Sequence, residues 1–338
     1  MKVGLVAPPW LPVPPPSYGG TELVIDHLAV GLVKAGHDVL VFTIGDSDIP
    51  VPTDYVREHP AVDEMGSSTV ELGHLAAAYE ALSDCEVIHD HTLAGPLWAL
   101  AHHRRGVVTT CHGPLQDDLR RIYRAYSRQR LPVVAISHDQ AARAPDVTIS
   151  RVIHHGVDPE RFPAGKGDGG YLLFLGRMTP EKGAHEAVRI ARETGHPLKL
   201  AAKMRAHEEV AYFRQCVEPL LGGDIEYVGE ACSDAKIDLL AGARALLNPI
   251  RWPEPFGLVM IEALACGTPV LTNWVGAAPE IVEHGVTGFV CTDRDQLRRS
   301  VDRIDELCRP SCRAAVAEHF SSERMVADHI DLYEEVRP

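Results

Sequence analysis

Positive charge is what this sequence is short of: 33 Lys and Arg stand against 47 Asp and Glu, a net charge of −14 over 338 residues. Such a chain repels phosphate backbones unless a local basic patch intervenes, which argues against nucleic acid as a partner. The sequence also lacks low-complexity tracts and internal repeats, which excludes solenoids and fibrous arrays. Its eight cysteines, at 85, 111, 216, 232, 266, 291, 308 and 312, form no disulfide pattern and no zinc set. Cys111 and Cys266 sit in apolar runs, as expected of reduced, buried thiols in a cytoplasmic protein, whereas Cys308 and Cys312 read as helix-surface thiols. The apolar run at the start, Val3 to Ala7, ends in prolines, too short for a signal segment or a span, and reads as a first β-strand. A G-x-G-x-x-G fingerprint is missing where a first strand meets a first helix, so NAD is not indicated.

What is present is ordinary globular material, 45% hydrophobic and 24% charged, in a chain longer than the ~250 residues at which single cores stop growing. Two domains are expected. Short apolar or β-branched runs alternate with amphipathic stretches of helical length, which predicts an α/β fold of parallel βαβ units. In the first half the pattern predicts strands near 2–7, 38–43, 86–90, 107–111 and 132–136, with helices near 20–36, 69–83, 94–105 and 115–130. The Gly- and Pro-rich segment Phe162 to Gly170 reads as an exposed hinge. Beyond it the pattern predicts strands near 171–176, 198–203, 225–228, 244–249, 269–273 and 288–291. Helices are expected near 181–195, 205–221, 234–241, 257–267 and 276–285, and a closing helix over 320–335. The expected division is 1–162, 163–310 and C-terminal helices over 311–338, of which the closing helix packs back on the first domain. Two doubly wound sheets in tandem would place a ligand site in a cleft at the carboxyl ends of their strands.

The segment Glu254-Pro-Phe-Gly-Leu-Val-Met-Ile-Glu262 carries the most chemical information. On one continuous helix its two carboxylates would be rotated by about 80° from each other and would not share a face. Pro255 and Gly257 favour a helix start at Leu258, which puts Glu254 before the helix and Glu262 in its second turn. The amides of Phe256, Gly257 and Leu258 would then face an oxygen-rich or anionic ligand. The alternative is that Glu254 complements the helix dipole and Glu262 lies on the surface.

Thr179-Pro180 reads as an N-cap and first helical position, with Lys182 in the first turn, where a cation opposes the helix dipole unless an anion lies between them. Arg177 and Lys182 could clamp a diphosphate; the plainer reading has Lys182 in solvent or paired with Glu181. Gly19 and Gly20 at the first helix start suit phosphate approach or a tight turn. His89, His91 and His112 lie at strand ends, but Asp90 alternates away from the two histidines beside it, which argues against a metal site there. Asp46-Ser-Asp48 and Asp293-Arg-Asp295 have a bare D-x-D form that capping explains. Arg120 to Arg130 is a basic helix rim, with a membrane-surface or acidic-acceptor contact as the sharper alternative.

Pro253 to Val270, Leu175-Gly-Arg177-Met-Thr-Pro-Glu-Lys182-Gly183 and Gly276 to Gly288 together resemble the family 4 retaining glycosyltransferases of GT-B fold, over nearly the whole chain. The resemblance implies two Rossmann-like domains and a nucleotide-sugar co-substrate, with no metal required. It implies that Glu254 grips donor-sugar hydroxyls, Glu262 the ribose, and Arg177 and Lys182 the diphosphate, with Gly176 in the diphosphate-binding turn. Gly19 and Gly20 would approach the phosphates from the first domain, and His112 would line the sugar pocket. His155 stands where the family usually has Asn. The short first domain resembles the compact subgroup that includes a glycosyltransferase of avilamycin biosynthesis. The expected donor is a UDP-sugar, with GDP and ADP as the alternative nucleotides, and the expected acceptor a small molecule or glycan. A sugar-nucleotide epimerase and a non-catalytic nucleotide-sugar sensor are the competing readings.

Overall fold

A computed structural model describes residues 1–17, 19–102 and 104–338. Met1–Gly156 with Ser322–Pro338 form one compact unit, and Val157–Ser321 a second.

In the first unit β1 (Lys2–Val6), β2 (Asp38–Thr43), β3 (Thr53–Tyr55), β4 (Val87–Asp90), β5 (Val107–Thr110), β6 (Val133–Ala135) and β7 (Arg151–Val152) form one parallel sheet. The order is β3-β2-β1-β4-β5-β6-β7. Its helices are α1 (Gly20–Lys34), α2 (Ser68–Ala81), α3 (Gly95–Ala101), α4 (Asp117–Arg128) and α5 (His138–Ala142). Val6, Phe42, Leu75, Ile88, Val107 and Val133 belong to one buried cluster, each such side chain contributing roughly 1.5–3 kcal/mol by leaving water. Strand order reverses between β1 and β4, so the loops that follow them open at a switch point, where such sheets bind ligands. β3, β7 and α5 were not expected. β3 is a fully exposed edge strand with no apolar alternation to betray it, and β7 is two residues long.

The second unit has β8 (Leu172–Arg177), β9 (Leu198–Lys203), β10 (Ile225–Gly229), β11 (Ala245–Asn248), β12 (Val270–Asn273) and β13 (Gly288–Cys291), parallel and ordered β10-β9-β8-β11-β12-β13. Around them lie α6 (Ala184–Thr194), α7 (His207–Tyr212), α8 (Ser233–Gly242), α9 (Leu258–Ala265), α10 (Ala278–Ile281), α11 (Arg294–Val301) and α12 (Arg309–His319). Here the order reverses between β8 and β11. The last helix, α13 (Ser322–Val336), belongs to the first unit. It lies so close to α1 that a Cβ on Gly31 would sit 2.4 Å from Val326 Cγ2.

Several expectations need correction. The helix expected over 205–221 breaks up: α7 ends at Tyr212, passes into a π-helical turn over 213–217 and ends in a 3₁₀ turn at Glu218–Leu220, where Pro219 has no N–H to continue the ladder. The helix expected over 276–285 is only α10, because Glu283 instead takes the Thr287 hydroxyl as partner and the chain turns into β13.

The segment 162–170 is not a free hinge. Arg309 donates to Gly165 O at 2.9 Å, Arg313 donates to Phe162 O at 2.6 Å, and Gly165 N donates to Cys266 O at 2.9 Å. A Cβ on Gly165 would meet Ala241 O at 2.1 Å, so the glycine serves close backbone packing rather than freedom of movement. The second unit runs from Val157 to Ser321 and includes α12, where the expected divisions lay at 162/163 and 310/311, while the closing helix falls in the first unit. Cys312, expected on a helix surface, is fully buried, and burial pushes its thiol up to about 12; Cys308 is exposed. All eight cysteines are free thiols.

Candidate functional site

In the second unit the two strands at the reversal, β8 and β11, end beside each other, and the loops that follow them are joined through their backbones. Arg251 N donates to Glu181 O at 2.8 Å. Thr179 and Pro180 do not start a helix: they form a turn closed by Lys182 N to Thr179 O at 3.2 Å, and α6 begins at Ala184 after a left-handed Gly183. Lys182 therefore precedes the helix instead of sitting in its first turn. Its ammonium donates to Glu254 Oε1, not to Glu181, and lies 5.9 Å from the Trp252 ring centre. Both partners are largely buried, 12% and 15% exposed.

Glu254 Oε2 is buried and has no hydrogen-bond partner among the described residues. An orphaned carboxylate oxygen costs ~1–3 kcal/mol or more, so a polar hydrogen brought to it by a ligand is worth that much. Gly276 holds the backbone of this residue: a Cβ there would lie 2.5 Å from both Glu254 N and Glu254 O, at a φ of +58° that glycine alone adopts at no cost. Ala277 N donates to Glu254 O at 3.1 Å.

Helix α9 starts where the spacing predicts, with Gly257 as N-cap and Glu262 in the second turn. Its first amides, at Leu258 and the residues beside it, have no carbonyl four residues back to bond. The Phe256 side chain is buried, 6.2 Å edge-on to Phe320, so only its backbone is placed for a ligand. Glu262 is buried rather than on the surface, and Lys236 from α8 donates to its Oε1 at 2.5 Å. Sequence reading missed Lys236; a lone lysine 26 residues upstream carries no signal. Arg177, at the end of β8, is half exposed and donates to Glu209 Oε1 from Nε at 3.0 Å and Nη2 at 2.8 Å. Burial raises the Glu209 carboxyl, but bonds from the Arg205 and Ala206 amides and from Arg177 outweigh it and hold it below the usual range. Gly176 is less constrained, since a Cβ there would find nothing nearer than Lys182 Cδ at 3.9 Å.

The first unit presents a different chemistry. At the ends of β4 and β5 and in the loop after β7, His89, His91, His112 and His155 gather with His329 of α13. His91 Nδ1 and His112 Nε2 share a hydrogen bond of 2.8 Å, and the His112 and His155 rings stack at 5.4 Å and 20°. His89 is held between Tyr333 OH at 2.6 Å and Thr110 Oγ1 at 2.8 Å. Burial is the main force that pushes His112 down to about 3 and His329 to about 4, and it takes His89, His91 and His155 well below the usual range. All five are neutral imidazoles at pH 7. Asp90 turns the other way, to Tyr79 OH at 2.8 Å and Thr92 N at 2.8 Å, and burial lifts it to about 6.

The remaining motifs take plainer roles. Gly19 is the extended N-cap of α1, with Gly20 its first residue; Tyr18 before them lies outside the described residues. Asp293 caps α11 through Gln296 N at 2.8 Å, and Asp46 pairs with His59. On α4, Arg120 and Arg124 are tied to Asp146 and Arg121 to Asp118, while Tyr123 and Tyr126 are buried, so much of the basic rim is spent within the fold. Among the described residues no helix is long and apolar enough to cross a membrane.

Comparison with known proteins adds independent findings. Residues 157–316 match the family model of glycosyl transferases group 1, and residues 18–161 that of Glycosyltransferase Family 4. A glycogen synthase of Mycobacterium tuberculosis is 27% identical, over 83% of this chain and 81% of its own. Among solved structures, AviGT4, a glycosyltransferase involved in avilamycin A biosynthesis, superposes with a TM-score of 0.72 at 26% identity, covering 99% of this chain and 97% of its own. HepE of Anabaena in complex with UDP-glucose superposes at 0.78 and 18% identity, covering 99% and 100%.

Proposed function

Because the chain belongs to the family 4 retaining glycosyltransferases of GT-B fold, we propose that it moves a sugar from a UDP-sugar to a hydroxyl of a small-molecule or glycan acceptor, with the second unit as the donor-binding half. The observation that carries this reading is Glu254: one oxygen bonded to Lys182, the other buried with no partner among the described residues, at the mouth of α9 where β8 and β11 end. That is a receptor for sugar hydroxyls beside a cation for the diphosphate. UDP is favoured because HepE, of the same fold, binds UDP-glucose, and a role in natural-product assembly because AviGT4 has one.

In this reading Glu262 holds the ribose, steadied by Lys236. Arg177, Lys182, Gly176 and the amides of Phe256, Gly257 and Leu258, all of the second unit, take the diphosphate. His112 reads the donor sugar. The acceptor oxygen bonds to the anomeric carbon on the face that the diphosphate leaves. The anomeric carbon–phosphate oxygen bond breaks, and the acceptor proton passes to the departing phosphate oxygen. Charge grows on the diphosphate, where preorganised cations and amides act most strongly, and the mechanism as drawn uses no metal.

A thermal-shift panel of UDP-, GDP- and ADP-sugars tests the donor class, because a ligand that binds only the native state raises its stability. The expected result is a rise with a UDP-sugar. A rise with a GDP- or ADP-sugar alone would replace the nucleotide, and no rise with any would overturn the reading.

A further inference from the structure

The paired histidines of the first unit assign a role to a residue that the proposed reaction does not otherwise use. A neutral imidazole has one N–H and one bare nitrogen. His112 spends Nε2 on His91 Nδ1 at 2.8 Å, which leaves Nδ1 as its one ring nitrogen for a ligand. The same bond fixes the rotation of the ring in its own plane, and the stack against His155 at 5.4 Å and 20° fixes the plane. His91 is itself almost wholly buried, rests on His89 at 4.0 Å between ring centres, and has no partner at Nε2 among the described residues. It has no other hydrogen bond among the described contacts that could turn its ring away from His112.

We propose that His91 is a positioning residue for the transfer reaction: it grips His112 through Nε2, locks that ring in one tautomer, and so presents Nδ1 alone to a hydroxyl of the donor sugar. His155, where an Asn is usual, supplies the flat backing that an amide would not. The shared proton couples the two rings. If His91 donates, His112 must carry its own proton on Nδ1 and donate to the sugar; if His112 donates, its Nδ1 accepts from the sugar. Either pattern is a fixed, directional hydrogen bond, which a freely rotating imidazole would not provide.

This proposal rests on the reading of His112 as a donor-sugar residue, so its test has one arm that needs no substrate. In protein carrying ¹⁵N-labelled histidine at pH 7.5, with the His112 signals assigned by their loss in His112→Gln, the wild type is expected to show His112 as a single tautomer. His91→Leu should let it average between two. His91→Asn should keep the lock, because the Asn amide occupies the place of Nδ1. In the second arm His91→Leu should lower kcat by about 10²-fold, the scale of a misplaced contact, with UDP affinity unchanged, and His91→Asn should recover most of that loss. A wild-type His112 that averages, or Leu and Asn variants that behave alike, would overturn the inference while leaving sugar transfer standing. A locked His112 in a protein that transfers no sugar would overturn the proposed reaction, and with it the role of the lock.

Discussion

The two units solve the problem of polar groups at the end of a parallel sheet in opposite ways. The second uses charge: Lys182 with Glu254, Lys236 with Glu262 and Arg177 with Glu209 bring cations and anions together, two of the pairs largely out of water. The first uses neutral imidazoles, bonded to one another and to hydroxyls. Charge suits a ligand with phosphates and a site where charge develops. Neutral donors and acceptors suit sugar hydroxyls, which have to be read by direction rather than sign. The difference also makes the units respond differently to acid, to mutation and to salt.

Acid should separate them most. His74, His89, His91, His155 and His329 are nearly fully buried with lowered pKa values, burial being the first cause in each. The unfolded chain takes up those protons first, so stability falls as pH drops below about 6.5, by up to about 2 kcal/mol per imidazole at pH 5. Asp90, lifted to about 6, works the other way and returns about 1 kcal/mol over the same range. In the second unit Glu186 and Glu209 have lowered pKa values, so their contribution is lost only below about 4.5; His185 is its one imidazole with a lowered pKa, and it is only partly buried. Calorimetry or hydrogen exchange between pH 7 and 5 should show the first unit opening first. Equal loss in both would break the contrast.

The next largest effect concerns the Lys182–Glu254 pair. Lys182→Met should destabilise the protein by about 3 kcal/mol, because it strands a buried carboxylate, and lower turnover by about 10³-fold or more. Lys182→Met with Glu254→Gln should recover most of the stability and none of the turnover, as thermal melts and transfer assays would show. Arg177→Ala separates the two properties further. Its half-exposed pair is worth less than about 1 kcal/mol to folding, so a fall in turnover of about 10²-fold should come with a nearly unchanged melting temperature. Lys236→Met should weaken UDP binding by roughly tenfold through Glu262, about 1.4 kcal/mol. The smallest effect is expected on α4, where Arg121→Gln should shift stability by less than about 0.5 kcal/mol and leave binding to anionic vesicles undetectable.

Much of the second unit's candidate site was legible in the sequence, because Pro255 and Gly257 dictate a helix start and so separate the two glutamates into one before the helix and one within it. The partners were not. Lys182 and Glu254 are 72 residues apart, and nothing local says that the turn after β8 is bonded to the loop after β11. The same loop geometry displaced the start of α6, since Thr179-Pro180 suits a turn as well as a helix N-terminus and only the left-handed Gly183 decides between them. In the first unit the alternation of His89 and His91 away from Asp90 was readable. Their enclosure by Tyr333 and His329 was not, because those residues come from the last helix of the chain.

Calorimetric titration of UDP and of the preferred UDP-sugar into wild type and Glu254→Ala tests the central claim most directly. The account predicts that the wild type binds the sugar nucleotide at least about tenfold more tightly than UDP, and that the variant binds both with the affinity of UDP. A variant that keeps the preference for the sugar nucleotide, or loses UDP binding altogether, would contradict it.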